Sequence, residues 1–271
     1  MPVTTTDKRA NFRKLHEAGC FVLPNPVDVG TAKALQHLGF KALASTSAGF
    51  AWTIGKADNR VTVDEVCAHL TDISAAVDVP MNADYEGGFA VAPEGVSANV
   101  ARGVKTGIAG LSIEDSTGDA AKPLYDRSLA IERIKAARQA IDADNGGVLL
   151  TGRCEAFLWG QADLKLVIDR LTAYAEAGAD CLYAPGIKTK EDIAAVVKAV
   201  HPRPVNLLIG ASGLSLDEAT DLGVRRISVG GTLARVAWAG FMKAAKEMAE
   251  KGTFTELANS YPGGELNKMF K

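Results

Sequence analysis

Pro80-Met81-Asn82-Ala83-Asp84-Tyr85-Glu86-Gly87-Gly88-Phe89 is a short, largely apolar run that ends in two acids and then breaks on glycine. An extended segment alternates its side chains, so continuation of the strand would put Asp84 and Glu86 on one face. Two neighbouring carboxylates repel, and each loses hydration on burial, so the pair is costly unless positive charge lies between them. A hard divalent cation is the simplest candidate.

Outward from this stretch, short apolar runs alternate with amphipathic segments of helical length. The runs are Cys20 to Leu23, Ala42 to Ser45, Pro80 to Asp84, Gly110 to Glu114, Gly147 to Thr151, Cys181 to Ala184, Val205 to Ile209 and Arg226 to Val229. Gly19, Gly39, Gly107, Gly178 and Gly223 each stand where a helix would turn into the next run, as left-handed C-caps do. Eight such strands, many reading as buried on both faces, predict a parallel α/β sheet closed as a (β/α)8 TIM barrel. An open doubly wound sheet is the alternative, but it would bring a glycine-rich turn after the first strand, where this chain has Pro24-Asn25-Pro26. The expectation is one barrel domain over residues 1–271, with 232–271 as a C-terminal helical extension. Its long helix, Thr232 to Lys251, carries more apolar positions than one barrel face needs, and the surplus reads as a contact between subunits.

With 271 residues, 47% hydrophobic content and a formal net charge of -2, the chain has the composition of an ordinary globular protein without the basic footprint of a nucleic-acid binder. No apolar run approaches membrane-spanning length, and Met1-Pro2-Val3-Thr4 lacks the layout of a signal peptide, so a cytoplasmic location is expected. Cys20, Cys67, Cys154 and Cys181 show no metal or redox spacing and read as buried thiols, with Cys154 left open beside an arginine. The four histidines fall away from the strand ends, which disfavours histidine-based catalysis.

Active sites of such barrels form at the carboxyl ends of the strands. There the chain offers Ser45, Thr46, Ser47 and Ala48, then Asp58, then Asp84 and Glu86, Glu114 and Asp115, Arg153 and Glu155, and Asn206. A lone loop carboxylate is ordinarily a solvated acid; Asp58, Asp84, Glu86 and Glu114 at one end of one sheet point instead to oxygen-only ligation of Mg2+ or Mn2+. Arg153 suits a substrate carboxylate, or else an ion pair with Glu155 or Glu114 that neutralises the acids.

These motifs carry a resemblance. Asp84-Tyr85-Glu86-Gly87-Gly88-Phe89, Ile113-Glu114-Asp115 and Thr151-Gly152-Arg153-Cys154-Glu155, in this order, resemble the isocitrate lyase and phosphoenolpyruvate mutase superfamily over nearly the whole chain. The resemblance implies a Mg2+-dependent enzyme on a helix-swapped barrel, usually a homotetramer, acting on small 2-oxo or 2-hydroxy acids. It implies metal coordination by Asp84, with Asp58, Glu86 and Glu114 acting largely through water. It also implies substrate contacts from Ser45, Thr46, Ser47, Ala48 and Arg153.

The chain departs from the pattern after Glu114. Isocitrate and methylisocitrate lyases carry Lys-Lys/Arg-Cys-Gly-His there, whereas residues Ser116 to Asp126 hold neither cysteine nor histidine. Those two activities are disfavoured. Lys122 and Tyr125 remain as gate residues, with a solvated loop as the other reading. The leading expectation is a Mg2+-dependent carbon–carbon lyase or decarboxylase on an oxaloacetate-like acid, with Arg153, Glu114 and Lys122 catalytic and Asn206 lining the substrate. The alternatives are phosphorus–carbon bond chemistry on a phosphonopyruvate-like acid, a metabolite-binding barrel without turnover, and a phosphate-gripping isomerase built on Gly210-Ala211-Ser212-Gly213 and Gly230-Gly231-Thr232.

Overall fold

The computed structural model describes residues 3–210 and 213–270; of the Gly210-Ala211-Ser212-Gly213 turn, Ala211 and Ser212 lie outside them. Eight strands, β1 (Phe21–Leu23), β2 (Leu43–Ala44), β3 (Met81–Asp84), β4 (Gly110–Glu114), β5 (Leu149–Arg153), β6 (Cys181–Tyr183), β7 (Val205–Leu208) and β8 (Arg226–Ser228), are all parallel. Their spatial order runs from β2 through β8 and on to β1, so the first strand pairs with the last. A bond from the Ala44 amide to the Pro24 carbonyl, 3.0 Å, joins β2 to the end of β1 and closes the ring. That closure rules out the open doubly wound alternative and gives the (β/α)8 barrel.

The helices are α1 (Thr5–Leu15), α2 (Val29–His37), α3 (Ser47–Thr53), α4 (Val63–Ala75), α5 (Pro93–Val104), α6 (Arg127–Asp144), α7 (Leu164–Glu176), α8 (Lys190–Val200), α9 (Leu216–Asp221), α10 (Thr232–Lys251) and α11 (Gly263–Met269). Capping boxes start α1, α2, α4 and α9, where Thr4, Asp28, Thr62 and Ser215 each accept from the backbone three residues on. At the other ends, Gly19, Gly39, Gly107, Gly178 and Gly223 all have positive φ, as the helix-to-strand turns require.

The main apolar core lies between the barrel wall and its helices; Leu111, Ile113, Val96, Val100 and Ile134 belong to it. A smaller cluster of Phe12, Leu23, Ala42, Ala44, Ala109 and Leu149 packs where α1 meets the barrel. The expectation that many strands are apolar on both faces needs correction. Asn82, Ser112, Thr151, Asn206 and Arg226 are buried polar positions on five strands, and they face a polar lumen. On β5 the strand runs two residues beyond its expected end, which makes Arg153 the last strand residue, in register with Glu114.

No helix among the described residues is long and apolar enough to cross a membrane. α10 stands apart from the others: of its twenty residues only Ala234 and Glu247 are buried. Val236, Trp238 and Phe241 are exposed on it, at 64%, 42% and 62%. Glu247 ties down the segment that follows by accepting from Thr253 Oγ1 (2.6 Å) and the Glu256 amide (2.8 Å).

Candidate functional site

At the carboxyl end of the barrel the backbone delivers charged groups from successive strands. Arg153 is the centre. Its Nε donates to Glu155 Oε1 at 2.5 Å, and its Nη1 lies 3.3 Å from both Asp84 Oδ1 and Glu114 Oε2. Asp84 also accepts from the Ser47 amide at 3.0 Å, while its own amide donates to Ser45 Oγ at 2.8 Å. These two bonds fasten the turn after β2 to the end of β3. Thr46 caps α3 by accepting from the Gly49 amide, so the helix begins at the rim.

Glu86 arrives differently from the expectation. β3 ends at Asp84, and Glu86 sits in the left-handed region at φ 47 rather than continuing the strand. Its carbonyl accepts from the Glu114 amide at 3.1 Å. Turn geometry, not alternation along a strand, brings the second acid to the first. A non-glycine residue at positive φ is uncommon and is held only where its surroundings determine it. Arg133 supplies part of that determination: it is 1% exposed and donates to the carbonyls of Gly87, Ala90 and Val91.

Two chambers that share Asp58 in their walls open at this end. The inner one, about 180 Å³, is walled by Ser45, Thr46, Ser47, Ala48, Asp84, Arg153 and Asn206 and reaches down to Arg226. The outer one, about 620 Å³, is lined by Glu86, Glu114, Phe89, Arg60, Tyr125 and Trp159. Asp58 belongs to both.

Burial and mutual repulsion dominate the electrostatics. Burial, then Asp84 and Asp58, pushes the Glu86 carboxyl up to about 8. Burial raises Asp58 too, helped by Asp84. Glu114 stands well above the carboxylate range because it is buried among Glu155, Asp84 and Glu86, with Arg153 opposing. Glu86 Oε1 is buried without a hydrogen-bond partner.

This charge arrangement has a measurable consequence. Between pH 6.5 and 8 in the presence of EDTA, the protein is expected to lose stability. An unfolded glutamate has already released its proton there, while folded Glu86 still holds one, so rising pH favours unfolding until about 8. Below 6.5 the buried His16 and His69, depressed to about 3 and about 4, pull the other way, which sets the lower limit of the window. Melting curves at pH 6.5, 7.2 and 8 test this, and a melting temperature that rises across the window would refute it. Mg2+ added at pH 8 should reverse the loss, since a bound cation favours the ionised acids.

Not every expected site residue joins the cluster. The Lys122 ammonium is paired with Asp126 at 3.0 Å, with both side chains more than 60% exposed, and it lines neither chamber. The loop around it is a small hairpin, with Ser116 bridged to Leu124 and held by Trp159 Nε1 at 3.0 Å. Asn206 is in the inner wall, but its amide is committed to Ser228 Oγ (3.0 Å) and Arg226 Nε (2.9 Å). Asp115 turns away from the mouth to Arg170 (3.1 Å), Tyr174 (2.6 Å) and the Glu155 amide (2.8 Å).

Arg60, Trp159 and Arg226 are among the lining residues to which the sequence reading gave no site role. Of these, Arg226 left a signal, as a charge at the head of a predicted strand. Cys154 is buried, and burial holds its thiol well above the usual range, so it behaves as a packed residue.

Among the described residues no three His, Cys, Asp or Glu side chains close into a ready-made metal cage. The donor chemistry nevertheless fits a hard divalent cation bound partly through water: the acids of the cluster offer oxygen donors only, burial and repulsion raise Glu86 and Glu114, and one buried oxygen of Glu86 has no hydrogen-bond partner among the described residues. The cation would be held by Asp84, with Asp58, Glu86 and Glu114 around it.

Comparison with known proteins agrees with this architecture. The family model described as phosphoenolpyruvate phosphomutase matches residues 12–249. A solved structure from Burkholderia cenocepacia J2315, provisionally described as a lyase/mutase, is 46% identical; the match covers 98% of this chain and 97% of that one, with a TM-score of 0.95. A second structure from that organism, provisionally described as a phosphonomutase, is 32% identical, with 92% and 100% of the two chains covered and a TM-score of 0.82. An oxaloacetate decarboxylase of Rhodopseudomonas palustris (strain ATCC BAA-98 / CGA009) is 27% identical over 82% of this chain and 77% of its own. The chain belongs to the phosphoenolpyruvate phosphomutase family, within the isocitrate lyase and phosphoenolpyruvate mutase superfamily of lyases and mutases.

Proposed function

We propose that this protein is a Mg2+-dependent carbon–carbon bond lyase or decarboxylase acting on a small, oxaloacetate-like 2-oxo or 2-hydroxy acid through an enolate. The observation that carries the reading is the group of carboxylates gathered on Arg153 at the carboxyl end of the barrel, Asp84 in the wall of the inner chamber and Glu114 in that of the outer. The likeness to an oxaloacetate decarboxylase supports the substrate class.

A bound Mg2+ or Mn2+ would polarise the 2-oxo group as a Lewis acid, an effect worth several kcal/mol. The rest is done by the chain. Ser45, Thr46, Ser47 and Ala48 wall the inner chamber and orient the acid. Arg153 keeps Asp84 and Glu114 in place and supplies positive charge beside the developing enolate. Glu114, raised by burial against the pull of Arg153, lines the outer chamber as the carboxyl placed to deliver a proton to the enolate carbon. The hairpin from Ser116 to Leu124, pinned by Trp159, limits the entry of water. Lys122 takes part only if its pair with Asp126 opens.

The decisive experiment incubates the protein and Mg2+ with a panel of 2-oxo, 2-hydroxy and phosphono acids and identifies products by mass spectrometry. Pyruvate or a related 2-oxo product from a dicarboxylic acid is the expected result; stabilisation by these acids with no product from any of them would mean a binding protein. Phosphorus–carbon chemistry is the second reading, favoured by the likeness to the phosphonomutase structure, and turnover confined to phosphonopyruvate would establish it.

The assembly belongs to the same proposal. The exposed apolar face of α10 is covered by further copies of the chain that exchange this helix, giving a homotetramer. Sedimentation velocity should then report about four times the 28.4 kDa chain mass, and a monomer at micromolar concentration would overturn it.

A further inference from the structure

Behind the turn that carries Glu86 lies a buried cation with no ion pair among the described residues. Arg133, on α6, is 1% exposed, and its hydrogen-bond partners are backbone carbonyls: Val91 at 2.7 Å from Nη1, Ala90 on the same nitrogen and Gly87 on Nη2. Its Nε is buried without an acceptor among the described residues. The acids at the end of β4 pair with other arginines, Glu114 with Arg153 and Asp115 with Arg170. A guanidinium buried on these terms is costly, so the gain lies in what it holds.

What it holds is one wall of the outer chamber. Gly87, Ala90 and Val91 all line that chamber, beside Glu86. The Glu86 carbonyl is fixed by the Glu114 amide at 3.1 Å, and the next carbonyl along, that of Gly87, is fixed by Arg133. Two successive carbonyls are thus pinned where the chain passes through the left-handed region. Asn99, on α5, holds the Gly88 carbonyl at 2.9 Å. A methyl group at Gly87 would stand 2.9 Å from Arg133 Nη2, so glycine leaves the room that the guanidinium occupies.

Arg133 is itself seated by the foot of the hairpin. Its guanidinium lies 4.1 Å from the centre of the Tyr125 ring, within cation–π reach. Tyr125 is fixed through both backbone groups: its amide donates to the Asp115 carbonyl at 2.9 Å, and its carbonyl accepts from Arg170 Nη2 at 2.9 Å.

We propose that Arg133 is a positioning residue of the cation site. It places Glu86 by clamping the turn from behind, and it takes its own place from Tyr125 at the foot of the hairpin. This rests on the Mg2+-dependent reading above and names one determinant of its metal affinity. Arg133 bonds to no acid of the cluster and acts through backbone carbonyls. Hairpin and metal site are thereby linked, so that a change at Tyr125, which removes no oxygen ligand, is felt at the cation.

Mn2+ binding, read from the paramagnetic resonance signal of the free ion, tests this without turnover. Arg133→Met is expected to weaken Mn2+ binding on the order of 10- to 100-fold, as loss of a group supporting metal ligands does. Arg133→Lys and Tyr125→Leu should fall between that variant and the parent. Ile193→Ala, which loses core packing on α8, controls for stability and should bind Mn2+ as the parent does. Parent-like affinity in folded Arg133→Met, or an equal loss in Ile193→Ala, overturns the proposal. Should Arg133→Met not fold, Gly87→Ala decides: with Arg133 displaced by the new methyl group the same weakening is expected, and parent-like affinity overturns the assignment. Failure of the functional reading looks different. If the parent binds no Mn2+, a crystal structure of Arg133→Met or Gly87→Ala still gives the answer: Glu86 outside the left-handed region supports the positioning role, and an unchanged turn refutes it.

Discussion

Asp84→Ala is expected to lower kcat/KM by about 10³-fold and to remove the response of turnover to Mg2+. Asp84 bonds to the Ser47 amide and to Arg153, so it joins the turn after β2 to the end of β5. Its charge is also felt across the cluster, raising Asp58, Glu86, Glu114 and Glu155 alike. Removing one preorganised charged group at the place where charge develops costs about 10²- to 10³-fold, and the upper end is expected where metal retention also suffers. A Mg2+ titration of steady-state turnover checks this. Near-normal turnover by Asp84→Ala in EDTA would sink the metal-dependent reading.

The second large effect concerns stability. Arg153→Met leaves Asp84, Glu114 and Glu155 buried without their counter-charge, and removal of one side of a buried ionic group costs about 3–5 kcal/mol. The cost depends on pH. Glu114 and Glu155 are already raised by burial, with Arg153 as the main opposing influence, so its loss pushes both further up. Groups with raised folded values do not penalise the fold while both states are protonated; the penalty grows as pH rises toward the folded values. Urea unfolding at pH 5.5 and pH 8 should therefore show the deficit mainly at pH 8. An equal deficit at both values would mean that packing, not charge, is what Arg153 contributes.

The parts of this fold that the sequence made legible are those that obey local rules. Glycines after helices, acids at strand ends and eight runs of similar length all reflect constraints acting over a few residues, and all eight strands stand where they were expected to within two residues. Arg153, Asp84 and Glu114 were legible because a strand of known direction leaves few places for its last side chain. The rest depended on non-local geometry. Glu86 was expected on a continuing strand, yet a left-handed turn brings it in, supported by Arg133 from α6, more than forty residues away. Lys122 was expected at the gate, but an ion pair four residues along, with Asp126, was equally open to it. The lumen was expected to be apolar; Asn82, Thr151 and Asn206 are polar because they surround Arg226, a reason visible only once β3, β5, β7 and β8 share one interior.

The pairing of β1 with β8 sets Phe21 beside Arg226, so about three quarters of the chain lies between the two sides of one seam. As the polypeptide leaves the ribosome, β1 through β7 can pair in order, but the ring cannot close until the last strand has been made. Sequence-distant pairings of this kind form slowly, because loop closure is costly before the contacts repay it. The last strand to arrive at that seam is β8, and with Arg226 it brings a guanidinium to the wall of the inner chamber. A ribosome-bound chain that stops before β8 would thus carry the acid cluster without its enclosed chamber, and completion of the barrel and completion of the pocket are a single event in biosynthesis.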